Sequence, residues 1–175
     1  MTRALNFIAF QMSWWAVVIS ARHNLDAAGI AAVLILNAPF LWWSKSRRAF
    51  VAFLAAATLF GVMADSILLA AGVFRISAGW QVAAWLCPPW LAALWLNFAV
   101  TFDYAITWLR RRLLLAALLG SIGGPLSYWG GAKFGVLDFG SSAATTLTIL
   151  AVSWAIAVPV LLWMRQRLDA LIPPG

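Results

Sequence analysis

Asp65 is the residue of this sequence best placed to do chemistry, because it is an acid inside a long apolar run. A helix that begins near Ala49 would carry it about 24 Å along its axis, still within the hydrocarbon of a bilayer. An ionised carboxylate at that depth costs at least about 2.5 kcal/mol. We therefore expect Asp65 to face protein, either as a tie between helices or as a site for a ligand, a proton or an ion.

Four other side chains lie at a depth similar to that of Asp65. Gln81 and Trp85 stand near the start of the fourth apolar run, whereas Ser127 and Tyr128 stand near the end of the fifth. A buried acid needs polar neighbours. We expect these residues to bound a ligand-binding cavity in the outer half of the bundle, between the third, fourth and fifth helices.

Glycine and proline interrupt the same two runs. The sites predicted for close packing or kinking are Gly120, Gly123, Gly124 and Pro125 in the fifth run and Pro88 and Pro89 in the fourth. A G-x-x-x-G face lets a second helix approach closely, and proline removes a backbone hydrogen bond. Two interpretations stay open: tight packing with a kink, or broken helices whose freed backbone groups line a cavity.

A second polar set lies near the opposite ends of the helices and consists of Asn6, Gln11 and Asn97. Hydrogen bonds between helices are their expected use. Six of the twelve tryptophans lie deeper than an interfacial belt explains, and they either fill the core or form the walls of a pocket: Trp14, Trp15, Trp85, Trp90, Trp95 and Trp154.

Several kinds of chemistry lack the residues they need. The one histidine, His23, lies at a predicted membrane edge, which argues against paired-histidine haem ligation, a Ser–His protease and a zinc site. The glycines of the fifth run lack the preceding strand and the lysine of a phosphate-binding loop. We expect no metal and no cofactor, and no catalytic pair is visible, so an enzyme is the less favoured class.

The elements that must position these residues are membrane helices. The chain has 175 residues, 65% of them hydrophobic and 10% charged, with a mean hydropathy of +0.92, which excludes a water-soluble globule. A span needs about 20 mostly apolar residues. The sequence predicts an all-α polytopic protein, a single bundle over residues 1–175 with six transmembrane helices at about 4–21, 27–43, 49–72, 79–102, 113–132 and 143–164.

The charges give the orientation, because short basic loops stay in the cytoplasm. Nine Lys and Arg residues fall at one end of the predicted bundle and three, Arg22, Arg75 and Lys133, at the other. Both termini are therefore predicted to be cytoplasmic, in a multi-pass protein of the bacterial inner membrane. Insertion and anionic headgroups account for the net charge of +7, so nucleic acid is not an expected partner.

Three segments resemble an uncharacterised bacterial inner-membrane family, a domain of unknown function. They are Asn6 to Trp14, Leu94 to Phe98, and Gly120 to Gly131 with its Gly-Gly-Pro-Leu-Ser-Tyr core. The resemblance implies a small integral membrane protein without an assigned activity. It also implies a connection with membrane-lipid modification or envelope stress.

Three hypotheses for function follow. The first is a protein that binds or helps to handle a membrane lipid, or another small apolar ligand, in its aromatic interior. The second is a small-solute transport component, because size and topology resemble the substrate-binding subunits of energy-coupling vitamin transporters. It would require an outward-facing polar pocket around Asp65. The third is a structural subunit for a membrane protein partner.

The charge distribution predicts the topology directly. Reporter fusions after residues 24, 46, 76, 109, 137 and 175 should alternate between the outside and the inside of the cell, starting outside. Two neighbouring fusions that report the same side would contradict six spans with both termini in the cytoplasm.

Asp65→Asn should keep the fold but impair function, because it removes the charge of the carboxylate and little of its volume. The measurement is the acyl composition of membrane lipids, and the uptake of solutes, in a deletion strain that carries this variant. Wild-type behaviour of that strain, beside an altered phenotype of the deletion itself, would reduce Asp65 to a tie between helices.

Overall fold

The computed structural model describes residues 2–172 and shows an all-helical, polytopic membrane protein. Its helices, in chain order, are α1 (Thr2–Arg22), α2 (Asp26–Trp43), α3 (Arg47–Ala70), α4 (Pro89–Val100), α5 (Leu113–Lys133) and α6 (Ala143–Leu171). Two short strands, β1 (Phe74–Ile76) and β2 (Leu137–Phe139), follow α3 and α5. Five of the helices, all but α4, are long and apolar enough to cross a membrane.

The fourth predicted span is the one whose bounds differ most from the structure. Residues 79–88 are not helical, and α4 begins only at Pro89. Pro88 is extended, with φ −70° and ψ 154°, because a following proline disfavours the helical conformation. Proline at the first helical position then starts α4 without losing a hydrogen bond. The predicted helix over 79–102 is therefore wrong in its first ten residues, which belong to the non-helical outer segment (residues 77–88).

The short helix α4 lies in the interior of the bundle. It packs against α1, α2 and α3, while α1 also packs along α2, and α5 packs along α6. Buried side chains alternate along α4 with partly buried ones, so that no face of it is open to lipid. A helix of 12 residues is about 18 Å long, too short to span a bilayer, and it depends on its neighbours for cover.

The outer end of the bundle is closed by the pairing of β1 with β2. The strands are antiparallel, with Arg75 opposite Asp138 at the centre of the register. Each strand follows a helix that ends in a glycine with positive φ, 69° at Gly72 and 68° at Gly135. This left-handed conformation is a common end of a helix, and it turns the chain from each helix into the following strand in the same way.

Two glycine–tryptophan contacts inside the bundle are a second feature that the segments beginning with α3 and α5 share. The ring of Trp95 lies where a Cβ of Gly61 would be, and the ring of Trp154 lies where a Cβ of Gly124 would be. The two indoles stack face to face, with centroids 4.8 Å apart and planes 8° from parallel. The α3–β1–α4 and α5–β2–α6 units are thus built alike and meet at the stacked indoles.

Ion pairs fix the inner end, which is the end with the N-terminus of α1 and the C-terminus of α6. Arg165 on α6 donates to both oxygens of Asp103 at 2.7 and 2.8 Å, and to Asp169 at 2.5 Å. Arg110 also donates to Asp103, at 2.7 Å, and to Asp169, at 3.2 Å. These pairs hold the inner loop (residues 101–112), which contains two 3-10 turns, against α6.

Tyr104 anchors the same loop to α2 by donating its hydroxyl to the carbonyl of Phe40. Burial, and secondly the charge of Asp103, raise the pKa of Tyr104 to about 12. The phenol therefore stays a neutral donor across the physiological range of pH.

The adjacent glycines of α5 allow a matched test of the tryptophan contact. Gly124→Ala should lower the free energy of unfolding by about 1 to 3 kcal/mol, because its Cβ would overlap the Trp154 ring. Gly123→Ala is the control, since its Cβ would meet no atom within 4 Å and alanine favours helix. Thermal unfolding in detergent measures both, and equal stability of the two variants would contradict the contact.

Candidate functional site

A cavity of about 600 Å³ opens between α1 and α5, and we call it the groove. Its walls come from α1, α4, the inner loop, α5 and α6: Phe7, Phe10, Gln11, Trp14, Trp15, Leu91, Leu94, Trp95, Phe98, Thr101, Ala105, Ile106, Leu109, Leu119, Gly120, Gly123, Gly124, Leu126, Ser127, Tyr128, Trp154 and Val158. Within the described residues 2–172, α2 and α3 contribute no lining side chain. The groove is therefore not the cavity expected between the third, fourth and fifth helices, because α1 and α6 form its walls with α4 and α5, while α3 packs against α4.

The groove exists because α1 and α5 belong to different helix pairs and meet at their outer ends. The indole of Trp14 donates to the Ser127 hydroxyl at 2.9 Å. Above it, Arg22 donates to the carbonyl of Phe134 at 3.2 Å, and the Trp15 and Phe134 rings meet edge to face. Below these bridges the two helices are separated by the groove, and Ile106 and Leu109 of the inner loop line its floor.

The groove opens laterally between α1 and α5, on the side of the bundle that faces the lipid of a membrane. Phe7 and Trp15 on one lip, and Leu119 and Leu126 on the other, are between 41% and 58% exposed. Gly123 widens the opening, since nothing lies within 4 Å of the position a Cβ would take. The glycines of α5 therefore serve two purposes. Gly124 lets the Trp154 ring pack against the helix, and Gly123 leaves the opening of the groove clear.

Asp65 lies behind the wall of the groove, with 1% of its surface exposed. The indole N–H of Trp95 donates to one carboxylate oxygen at 2.7 Å, and the Tyr128 hydroxyl donates to the other. Both donors line the groove. The carboxylate thus fixes two wall residues from α4 and α5 to α3, and it does not itself reach the space between the walls.

The remaining residues predicted to bind a ligand divide into two groups. Ser127 and Tyr128 line the groove, whereas Gln81 and Trp85 lie on the outer segment and are not among its lining residues. Gln81 bonds within its own segment, to the carbonyl of Leu86 at 3.2 Å, and Trp85 is 59% exposed. These two were misplaced because residues 79–88 were predicted to be helical.

Trp95 is the site residue that the sequence-based site prediction missed. It was recognised only as a deep tryptophan, although a buried indole N–H requires an acceptor. Asp65 is the one acid well inside a predicted span, and pairing the two would have identified the contact.

The inner polar set is only partly brought together. Asn97 is fully buried and accepts from the Asn37 amide at 2.9 Å, while Asn6 accepts from the backbone N–H of Ala105 at 3.2 Å. Gln11 is exposed and lines the groove instead. Asn37, which the prediction left out, links α2 to α4 through Asn97, whose own amide donates to the carbonyl of Phe10 on α1 at 3.0 Å.

The groove has little free polar capacity. The Ser127 hydroxyl accepts from Trp14, the Tyr128 hydroxyl donates to Asp65, and the Thr101 hydroxyl donates to the carbonyl of Phe98 at 2.6 Å. The Gln11 amide and the Trp15 indole N–H, which make no hydrogen bond to residues 2–172, are left for a polar group of a ligand. No cluster of three or more His, Cys, Asp or Glu residues occurs between residues 2 and 172. The arrangement favours hydrocarbon.

Comparison with known proteins gives a family and no closer relative. No curated protein matched the chain, and no solved structure did. A family described as "Protein of unknown function (DUF2878)" matches residues 3–160, which include α1 to α5 and most of α6. Since the match covers far more than half of the sequence, this multi-pass membrane protein belongs to the DUF2878 family of unknown function.

Proposed function

We propose that this protein binds an acyl chain of a membrane lipid in the groove. The observation that carries the proposal is an apolar cavity of about 600 Å³ that opens sideways between two membrane helices. Its volume falls within the range of about 300 to 1,000 Å³ that is typical of ligand sites. Close-packed protein interiors contain few voids larger than a water molecule, so a space of this size sets the α1–α5 boundary apart from the packed helix pairs.

Hydrocarbon is the occupant that the walls favour. Water gains too few hydrogen bonds from aromatic and aliphatic side chains to fill such a space. Acyl chains surround a multi-pass protein on all sides, and the exposed lips at Phe7 and Leu126 leave a lateral entrance to them. Binding therefore needs no passage through the aqueous phase.

The shape of the groove limits what part of a lipid it takes. The Trp14–Ser127 hydrogen bond bounds it on the outer side, and Ile106 and Leu109 bound it on the inner side. An acyl chain that enters between α1 and α5 would lie against the stacked indoles of Trp95 and Trp154. The protein would hold one chain of a lipid while the headgroup stays at the surface.

The transport hypothesis gains no such support. It requires a polar pocket around Asp65 that opens outward, whereas both oxygens of Asp65 accept hydrogen bonds from wall residues. We therefore propose lipid binding alone.

Filling the groove should abolish acyl-chain binding. The probe is a phospholipid with a photoreactive diazirine in its acyl chain, incorporated with the purified protein into lipid nanodiscs and mapped by mass spectrometry. In the wild type we expect adducts on the groove-lining parts of α1 and α5. Gly123→Phe should reduce them by about tenfold, because its ring occupies the open space.

Two control variants separate the loss of space in the groove from other effects of the Gly123→Phe substitution. Ile122→Phe adds an aromatic ring on the same helix at an exposed position outside the groove, and it should keep the wild-type adducts. Gly123→Ala raises helix propensity and leaves the groove open, so it should keep them as well. Adducts spread evenly over all exposed helices, or unchanged by Gly123→Phe, would refute the proposal.

A further inference from the structure

The cations at the inner end fall into two classes. Arg110 and Arg165 are neutralised by Asp103 and Asp169. Others have no carboxylate within salt-bridge distance among residues 2–172, and all of these are exposed: Arg3, Lys45, Arg47, Arg48, Arg111, Arg112 and Arg167. These unpaired side chains are the ones able to bind an external anion.

Three of the unpaired cations flank the inner end of the groove. Arg3 precedes the lining residue Phe7 by four positions of α1, and residues four apart share a helix face. On the other lip, Arg111 and Arg112 lie two and three positions after the floor residue Leu109 and lead into α5. The groove thus has hydrocarbon-binding walls and, at its inner end, cations on both lips.

We propose that the combination of apolar walls and these three cations selects an anionic phospholipid. One acyl chain would lie in the groove and the phosphate at Arg3, Arg111 and Arg112. The inference rests on the proposed function and names the lipid class. A guanidinium presents its donors in a planar fork that matches two phosphate oxygens. A zwitterionic lipid carries the same phosphate, but its ammonium group offsets the attraction to three cations.

The α2–α3 connection provides an internal control for general surface charge. Lys45, Arg47 and Arg48 are also three exposed cations at the inner end. Lys45 lies between α2 and α3, and Arg47 and Arg48 begin α3; neither of these helices contributes a lining residue to the groove within the described chain. Neutralising either triplet leaves six predicted cytoplasmic cations against three outside, so both variants should insert with the wild-type topology.

The test compares two photoreactive probes, a phosphatidylglycerol and a phosphatidylcholine with the same diazirine acyl chain, in phosphatidylcholine nanodiscs. For the wild type we expect at least about fivefold more groove adducts from the anionic probe, the effect of one retained cation–headgroup contact. The triple variant Arg3→Gln/Arg111→Gln/Arg112→Gln should bring this ratio close to one. The triple variant Lys45→Gln/Arg47→Gln/Arg48→Gln should keep the wild-type ratio.

A charge-preserving variant, Arg3→Lys/Arg111→Lys/Arg112→Lys, should keep most of the preference and shows that the triplet tolerates substitution. Equal groove labelling by the two probes in the wild type would overturn the inference and leave acyl-chain binding intact. Equal loss of preference in both glutamine variants would also overturn it, because surface charge alone would then be the cause. If neither probe gave groove adducts, the proposed function would instead be refuted.

Discussion

The hydrogen-bonded carboxylate of Asp65 is the constraint on which the interior depends. One side chain of α3 accepts from Trp95 on α4 and from Tyr128 on α5, and Trp95 in turn stacks on Trp154 of α6. Four helices are therefore fixed relative to one another at a single depth. An acid is costly in hydrocarbon, but here its hydrogen bonds orient the aromatic wall of the groove. The asparagine variant remains compatible with the fold, because its amide has an acceptor for Trp95 and a donor for the Tyr128 oxygen.

Most of the helices were predictable from the sequence, and the exception has a physical reason. Apolar runs bounded by charges located α1, α2, α3, α5 and α6, because a membrane helix needs little more than length and hydrophobicity. The same criterion failed before Pro89. Residues 79–88 are apolar, but they bond to the α1–α2 turn and to themselves, as when Gly79 donates to Asn24 and Trp80 donates to Asp26. Hydropathy does not distinguish such a packed segment from a helix.

The site was less predictable than the helices. Counting residues along each predicted helix gives the depth of a side chain in the membrane. This depth correctly grouped Asp65 with Tyr128. The count failed for the fourth helix, because residues 79–88 are not helical, and so it selected Trp85 where Trp95 makes the contact. The groove itself follows from two helices that fail to meet below Ser127, and a gap between helices has no residue pattern of its own.

The likeness of the α3–β1–α4 and α5–β2–α6 units has a consequence for stoichiometry. Asp65 and Tyr128 are both 7 positions before a glycine with positive φ, Gly72 and Gly135, so the pair that meets in the core stands at equivalent places. An approximate two-fold axis through the stacked indoles would duplicate any feature of one unit in the other. The α1–α2 hairpin has no counterpart, and it packs against α4, on one side of that axis. The α1–α2 hairpin breaks this symmetry, because the groove lies between α1 and α5. If the groove binds an acyl chain as proposed, residues 2–172 hold one chain there, whereas a symmetric bundle would have two equivalent positions or none.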